Sequence, residues 1–200
     1  MRTSRRSNVL PVALFAALVA LTMLVSDNAD VRRADGRAVA SAHAEALHGD
    51  AWWSGTVTHL ADVPTIFVLA VLGVVVLSLL EREREAIALG LAVAMTEVAV
   101  AVSTADGFGF PSGHSAASVA AYGMLATIVA LSLTGRARFV VLFGATLVVV
   151  AIGASRVLLG VHYPTDVLAG WLCGATFSVI AWRCSAPLAA LRQRWLRSSA

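Results

Sequence analysis

Residues 64–102, PTIFVLAVLGVVVLSLLEREREAIALGLAVAMTEVAVAV, place two apolar runs, Pro64–Leu80 and Ala86–Val102, on either side of a charged turn, Glu81–Glu85. A helix that crosses the hydrocarbon core of a bilayer needs about 20 predominantly apolar residues, with a range of about 17–25. Backbone groups in lipid have to be satisfied within the segment, so such runs read as helices. Four more runs follow the same rule: Val9–Val25, Ser115–Leu133, Phe139–Ala154 and Val167–Trp182. Glu97 is the one formal charge inside any of the six. Each run sits at the short end of the range, so flanking residues complete each span. The whole chain is 58% hydrophobic and 14% charged, with a mean hydropathy of +0.81, against about 25% charged residues in soluble domains. Six buried helices of a soluble protein would leave too little polar sequence to cover them. The expectation is an all-α polytopic membrane protein: one domain over residues 1–200, six transmembrane helices in a single bundle, a basic N-terminal segment 1–8 and a C-terminal tail 185–200.

Val9–Val25 follows Arg2, Arg5 and Arg6, the layout of a secretory signal. It is longer than the usual apolar region of about 7–15 residues, and no small-x-small cleavage site follows it directly. Retention as a membrane helix is expected. All 15 basic residues are arginine. With the N-terminus inside, eleven fall on the cytoplasmic side (Arg2, Arg5, Arg6, Arg82, Arg84, Arg136, Arg138, Arg183, Arg192, Arg194, Arg197) and four outside (Arg32, Arg33, Arg37, Arg156). That asymmetry sets the orientation. The net charge of +3 is thus an orientation signal, not a footprint for nucleic acid. Exclusive arginine use with abundant Ala, Val and Leu points to a GC-rich bacterium, hence a bacterial cell membrane. Cys173 and Cys184 are eleven residues apart along one helix, about 16 Å and beyond disulfide reach. They read as packing or surface residues, and no metal-ligand spacing is present. Segment 26–63 reads as a solvated loop with a short surface helix over Asp35–Leu47. Trp52 and Trp53 suit the interface, and His43, His48 and His59 read as surface histidines.

Two connections on the outer face hold nearly all the reactive residues. The first is Phe110-Pro111-Ser112-Gly113-His114-Ser115; the second is Ser155-Arg156, five residues, His162, three residues, Asp166. Pro111 suits the first turn of a helix, which would leave the Ser112 and Gly113 N–H groups free at an anion-binding helix N-terminus. Gly113 permits close approach of an anion, and His114 stands beside it. Pro164 marks a second helix start with Asp166 in its first turn. Arg156 ends the preceding helix, and its planar fork matches phosphate oxygens. Asp166 is spaced to orient His162 through one ring nitrogen, leaving the other free to attack. Singly, each has a plainer reading: a helix start, a local capping pair, a snorkelling arginine. Their convergence on one membrane face describes an anion site with an acid and a nucleophile.

These motifs, with the run His162-Tyr163-Pro164-Thr165-Asp166-Val167-Leu168-Ala169-Gly170-Trp171, resemble the type 2 phosphatidic acid phosphatase superfamily, the lipid phosphate phosphatases. That family's six-helix core matches the six runs. The resemblance implies a metal-independent phosphatase without cofactor, acting on a lipid phosphomonoester or diphosphate at an extracytoplasmic site. His162 would attack phosphorus to give a phosphohistidine, with Asp166 holding its imidazole. His114 would protonate the leaving group and then activate water. Arg156, Ser112, Gly113 and Ser155 would hold the phosphate oxygens.

One motif departs from the family. Its upstream lysine-x6-arginine-proline corresponds here to Glu97, six residues, then Thr104-Ala105. An ionisable residue in a membrane helix is functional by default. A carboxylate where a phosphate-gripping lysine should stand is expected to be protonated, turned toward Arg156, or remote from phosphate. The alternatives are therefore a catalytically weak or inactive lipid-phosphate-binding homologue, and a phosphotransferase sharing the first chemical step. A transporter is disfavoured, because the polar groups gather at one interface and not at the midplane. The partners expected are the lipid phosphate and the bilayer. Acyl or prenyl recognition rests on packed apolar surfaces, so neither the particular lipid nor the oligomeric state is encoded in the motifs.

Overall fold

The computed structural model describes residues 9–105 and 109–198. The basic segment 1–8, with Arg2, Arg5 and Arg6, and the last two residues of the chain lie outside the described residues. The elements, in order, are α1 (Val9–Asp27), α2 (Ala29–Glu45), a π-helical turn (Ala46–Asp50), α3 (Trp53–Thr58), a 3-10 turn (His59–Ala61), α4 (Val63–Leu79), α5 (Glu83–Ser103), α6 (Gly113–Leu131), α7 (Gly135–Leu158) and α8 (Pro164–Ser198). Helices α1, α5, α6, α7 and α8 are long and apolar enough to cross a membrane. A sixth span is reached if Trp53–Ala61 and α4, bent by 50° at the break between them, count together as one. This is the all-α multi-pass membrane architecture expected, with all but at most the last one or two residues of each apolar run inside one helix.

Helix α5 packs along α8, which also carries α1 and α6 on its flanks; α4 packs on α5, and α3 and α6 on α7. The core is rich in alanine, with Ala88, Ala92, Ala120 and Ala181 fully buried around Ile66, Leu89, Ile128 and Ile152. Association in lipid depends on close packing, because tails are as apolar as leucine, so small residues mark the interfaces. Gly170 and Gly174, one turn apart on α8, make the tightest of these. A Cβ on Gly170 would sit 2.5 Å from the Ser112 carbonyl oxygen, and one on Gly174 would sit 2.3 Å from that of Ala116. The backbones of α6 and α8 therefore meet where both helices begin. At the opposite end, Glu81 takes the left-handed conformation (φ 58°) that usually selects glycine. The Arg82 and Glu81 N–H groups close the end of α4 onto the Leu77 and Ser78 carbonyls.

One expectation needs correction. Segment 26–63 is mostly helical and packed, not a solvated loop. The Asn28 side chain accepts from the Asp30 and Val31 N–H groups and starts α2. Asp35 is buried and accepts from the Thr165 hydroxyl. His43 donates to the Leu158 carbonyl at 2.9 Å over Gly160, whose positive φ of 72° and closeness to that ring require glycine. Asp35 and His43 look solvated in the sequence because their partners lie more than 100 positions away. Residues 185–198 of the tail continue α8, which runs 35 residues, through Pro187, to Ser198. Charge ends a membrane-spanning stretch without ending a helix, and Arg192 pairs with Glu83 of α5.

Candidate active site

The N-terminal ends of α6 and α8, the C-terminal end of α7 and the α3–α4 junction meet at one end of the bundle. Pro164 is the first residue of α8, as its fixed φ favours. Pro111 instead precedes the N-cap Ser112, and α6 begins at Gly113. The Ser112 N–H is not free: it donates to the Asp166 carbonyl at 3.0 Å. Two helix starts pressed together by Gly170 satisfy part of each other's unpaired backbone. Ser112 is fully buried, and its hydroxyl accepts from Ser115 Oγ at 3.1 Å. A Cβ on Gly113 would lie 3.1 Å from Val100 of α5, so that helix closes on the same turn.

His162 follows the end of α7 by four residues, and its backbone N–H donates to the Arg156 carbonyl at 3.2 Å. Its Nδ1 lies 3.4 Å from Asp166 Oδ2, which also accepts from the Tyr163 N–H at 2.9 Å. Both side chains are nearly enclosed, at 14% and 9% exposure. The other ring nitrogen, Nε2, has no partner among the described residues. Gly109 lies against the ring, where an added Cβ would be 3.5 Å from it. Arg156, in the last turn of α7, donates from Nη1 to Thr58 Oγ1 at 2.6 Å, and its buried Nε has no partner. Ser155 is fully buried, with its hydroxyl donated to the Ile152 carbonyl at 2.6 Å.

The α3–α4 junction supplies two residues that the sequence reading did not single out. Besides Thr58 there is Asp62, 52 positions before His114 and 2.9 Å from it (Oδ1 to Nε2). Its second oxygen accepts from His59 Nδ1 at 2.6 Å. These hydrogen bonds, from His59 first and His114 second, hold the Asp62 carboxyl below the usual carboxylate range. The available signal was a carboxylate just before Pro64, at a helix start on the same membrane face as both motifs.

Glu97 and Thr104 are not joined to this cluster. Glu97 forms no ion pair or hydrogen bond among the described residues, so it is not turned onto Arg156. The Thr104 hydroxyl donates to the Val100 carbonyl at 2.8 Å. No group of three or more His, Cys, Asp or Glu side chains is arranged to hold a metal among the described residues. A groove of about 860 Å³ runs from Tyr163, Asp166 and Gly109 down between α1 and α8, past Phe15, Leu18 and Phe177.

Residues 94–189 match the PAP2 superfamily. Phosphatidylglycerophosphatase B of Bacillus subtilis (strain 168) is 39% identical over 69 residues, a match spanning 34% of this chain and 34% of that relative's length. The fold is that of a solved transmembrane PAP2 type phosphatidylglycerolphosphate phosphatase from Bacillus subtilis, with a TM-score of 0.74, 24% identity and coverage of 86% of this chain and 93% of that one.

Proposed function

We propose, from the match of residues 94–189 to the PAP2 superfamily, a membrane lipid phosphate phosphatase that works through a phosphohistidine. The observation that carries it is the meeting of three groups at one end of the bundle. His162 has one ring nitrogen on Asp166 and the other unoccupied, His114 stands on Asp62, and Arg156 carries a buried, unpartnered Nε. In the reaction the free nitrogen of His162 attacks phosphorus. The bond to the leaving oxygen breaks, and His114 gives that oxygen its proton. Water then attacks the phosphohistidine, His114 takes a proton back, and phosphate and neutral His162 are released. Asp166 holds the His162 ring and stabilises it as it becomes cationic. Arg156 grips the phosphate oxygens, with Ser112, Gly113 and Ser155 forming the wall around them. No metal takes part in these steps.

Both named relatives act on phosphatidylglycerophosphate by their descriptions, so that lipid leads the substrates to test, ahead of phosphatidic acid and a polyprenyl diphosphate. The arginine asymmetry supports an extracytoplasmic site in a bacterial cell membrane. Glu97, standing where the family has lysine, motivates a second reading, a lipid-phosphate binder without turnover. Purified protein incubated with each lipid separates the two by released phosphate. Binding without release from all three would overturn the phosphatase.

A further inference from the structure

Asp62 occupies the N-cap position of α4, with an extended backbone (φ −62°, ψ 147°), yet its side chain makes no capping hydrogen bond. An aspartate at this position ordinarily accepts from the N–H groups of the following turn, which is worth about 0.5–2 kcal/mol. Here both oxygens face imidazoles instead, Oδ1 toward His114 Nε2 at 2.9 Å and Oδ2 toward His59 Nδ1 at 2.6 Å. Asp62 and His114 come from different helices, so their contact is set by the packing of α4 and α6 and is not local. The other ring nitrogen of His114, Nδ1, has no partner among the described residues.

We infer that Asp62 is a positioning residue for the acid–base histidine, fixing the His114 ring through Nε2 so that Nδ1 exchanges protons with the substrate. The inference rests on the phosphatase reading. The proton balance is closed. Cationic His114 carries hydrogen on both nitrogens, and the Nδ1 proton passes to the leaving oxygen. The ring becomes neutral with its Nε2–H still donated to Asp62, and water later returns a proton to Nδ1. Asp62 stays ionised throughout and never takes the proton, just as a buried aspartate steadies the base of a serine hydrolase without being protonated. The pairing gives His162 and His114 one carboxylate each, Asp166 and Asp62. The charged and titratable groups facing His114 are Asp62, Arg156 and His162, with His59 on the far side of Asp62.

Asp62→Asn keeps the shape and removes the charge. With a lipid phosphate, whose leaving alkoxide needs a proton, kcat should fall roughly 10- to 100-fold. With p-nitrophenyl phosphate, whose leaving group needs none, the burst of p-nitrophenolate that accompanies phosphoenzyme formation should slow about threefold or less. The alkaline limb of the pH profile should move down by about one unit, as expected when an opposite charge is removed within contact distance. The titration midpoint of the His114 ring, followed by nitrogen NMR without turnover, should move with it. Asp62→Glu should recover most of the lipid activity. A p-nitrophenolate burst slowed as much as lipid turnover, or an unmoved His114 midpoint, would overturn the assignment and leave Asp62 a structural residue. Wild-type protein that releases no phosphate from either ester would defeat the phosphatase reading, while the NMR midpoint would still decide the contact.

Discussion

Arg156 of α7 and Thr58 of α3 are 98 positions apart and joined by a 2.6 Å hydrogen bond from Nη1 to Oγ1. A guanidinium on a flexible stem is aimed by what it donates to. Thr58 therefore sets the direction of the cation from outside its own helix.

Thr58→Val keeps the shape and removes the acceptor. A hydrogen bond to a charged group is worth about 1.5–3 kcal/mol. We expect a loss in kcat/KM of roughly tenfold or more, seen mainly as a raised KM for the lipid phosphate. Unchanged kinetics would show that Arg156 is held by its own helix.

Gly170→Ala would drive a Cβ to 2.5 Å from the Ser112 carbonyl and 2.8 Å from Ser115 Cβ. Backbone cannot give way as a flexible side chain can, and overpacking of this kind costs about 1–3 kcal/mol. The detergent-solubilised protein should lose thermal stability and activity together. Gly109→Ala, whose Cβ would meet His162 at an ordinary 3.5 Å, should unfold at the wild-type temperature.

His162→Ala should abolish turnover and leave no acid-labile phosphate on the protein. His114→Ala should still become labelled by p-nitrophenyl phosphate, because a good leaving group needs little acid assistance. A chelator should leave the wild-type rate unchanged. Equal labelling of wild type and His162→Ala would sink the nucleophile, and activity restored by an added divalent ion would sink the metal-free route.

The orientation is tested by single cysteines in a background lacking Cys173 and Cys184. One placed at Gly109, beside His162, should react with an impermeant thiol reagent from outside intact cells. One placed at Gly135, the first residue of α7, should not. The reverse pattern would put the site on the cytoplasmic face.

Glu97 pairs with nothing among the described residues, so Glu97→Gln should change activity by about twofold or less, as a surface-like substitution does. Glu97→Lys with Thr104→Arg restores the family's two cations. Each charge-assisted contact is worth about 1.5–3 kcal/mol, so KM should fall about tenfold or more. An unchanged KM would show that these positions do not face the phosphate.

Spacing made the spans legible, because the body of each predominantly apolar run proved to be helix. The motif residues were legible from spacing too, since three intervening residues let Asp166, in the first turn of α8, reach His162 in the loop before it. Segment 26–63 was not legible. Asp35, His43 and Asp62 are polar residues satisfied by Thr165, Leu158 and His114, and no local pattern announces a partner in another helix. The anion site was legible in outline but not in detail. Helix starts at Ser112 and Pro164 could be read, but packing commits the Ser112 N–H to Asp166. Ser115, buried beside it, was noted only as the end of the motif.

Helix α1 has no buried residue, yet it walls the groove that ends at Asp166. A substrate whose chain lies in that groove never leaves the bilayer, so encounter becomes a two-dimensional event. The relevant concentration is then the mole fraction of substrate among membrane lipids. Inert lipid added at constant bulk substrate would slow turnover, whereas added water would not, and the kinetics would follow surface dilution.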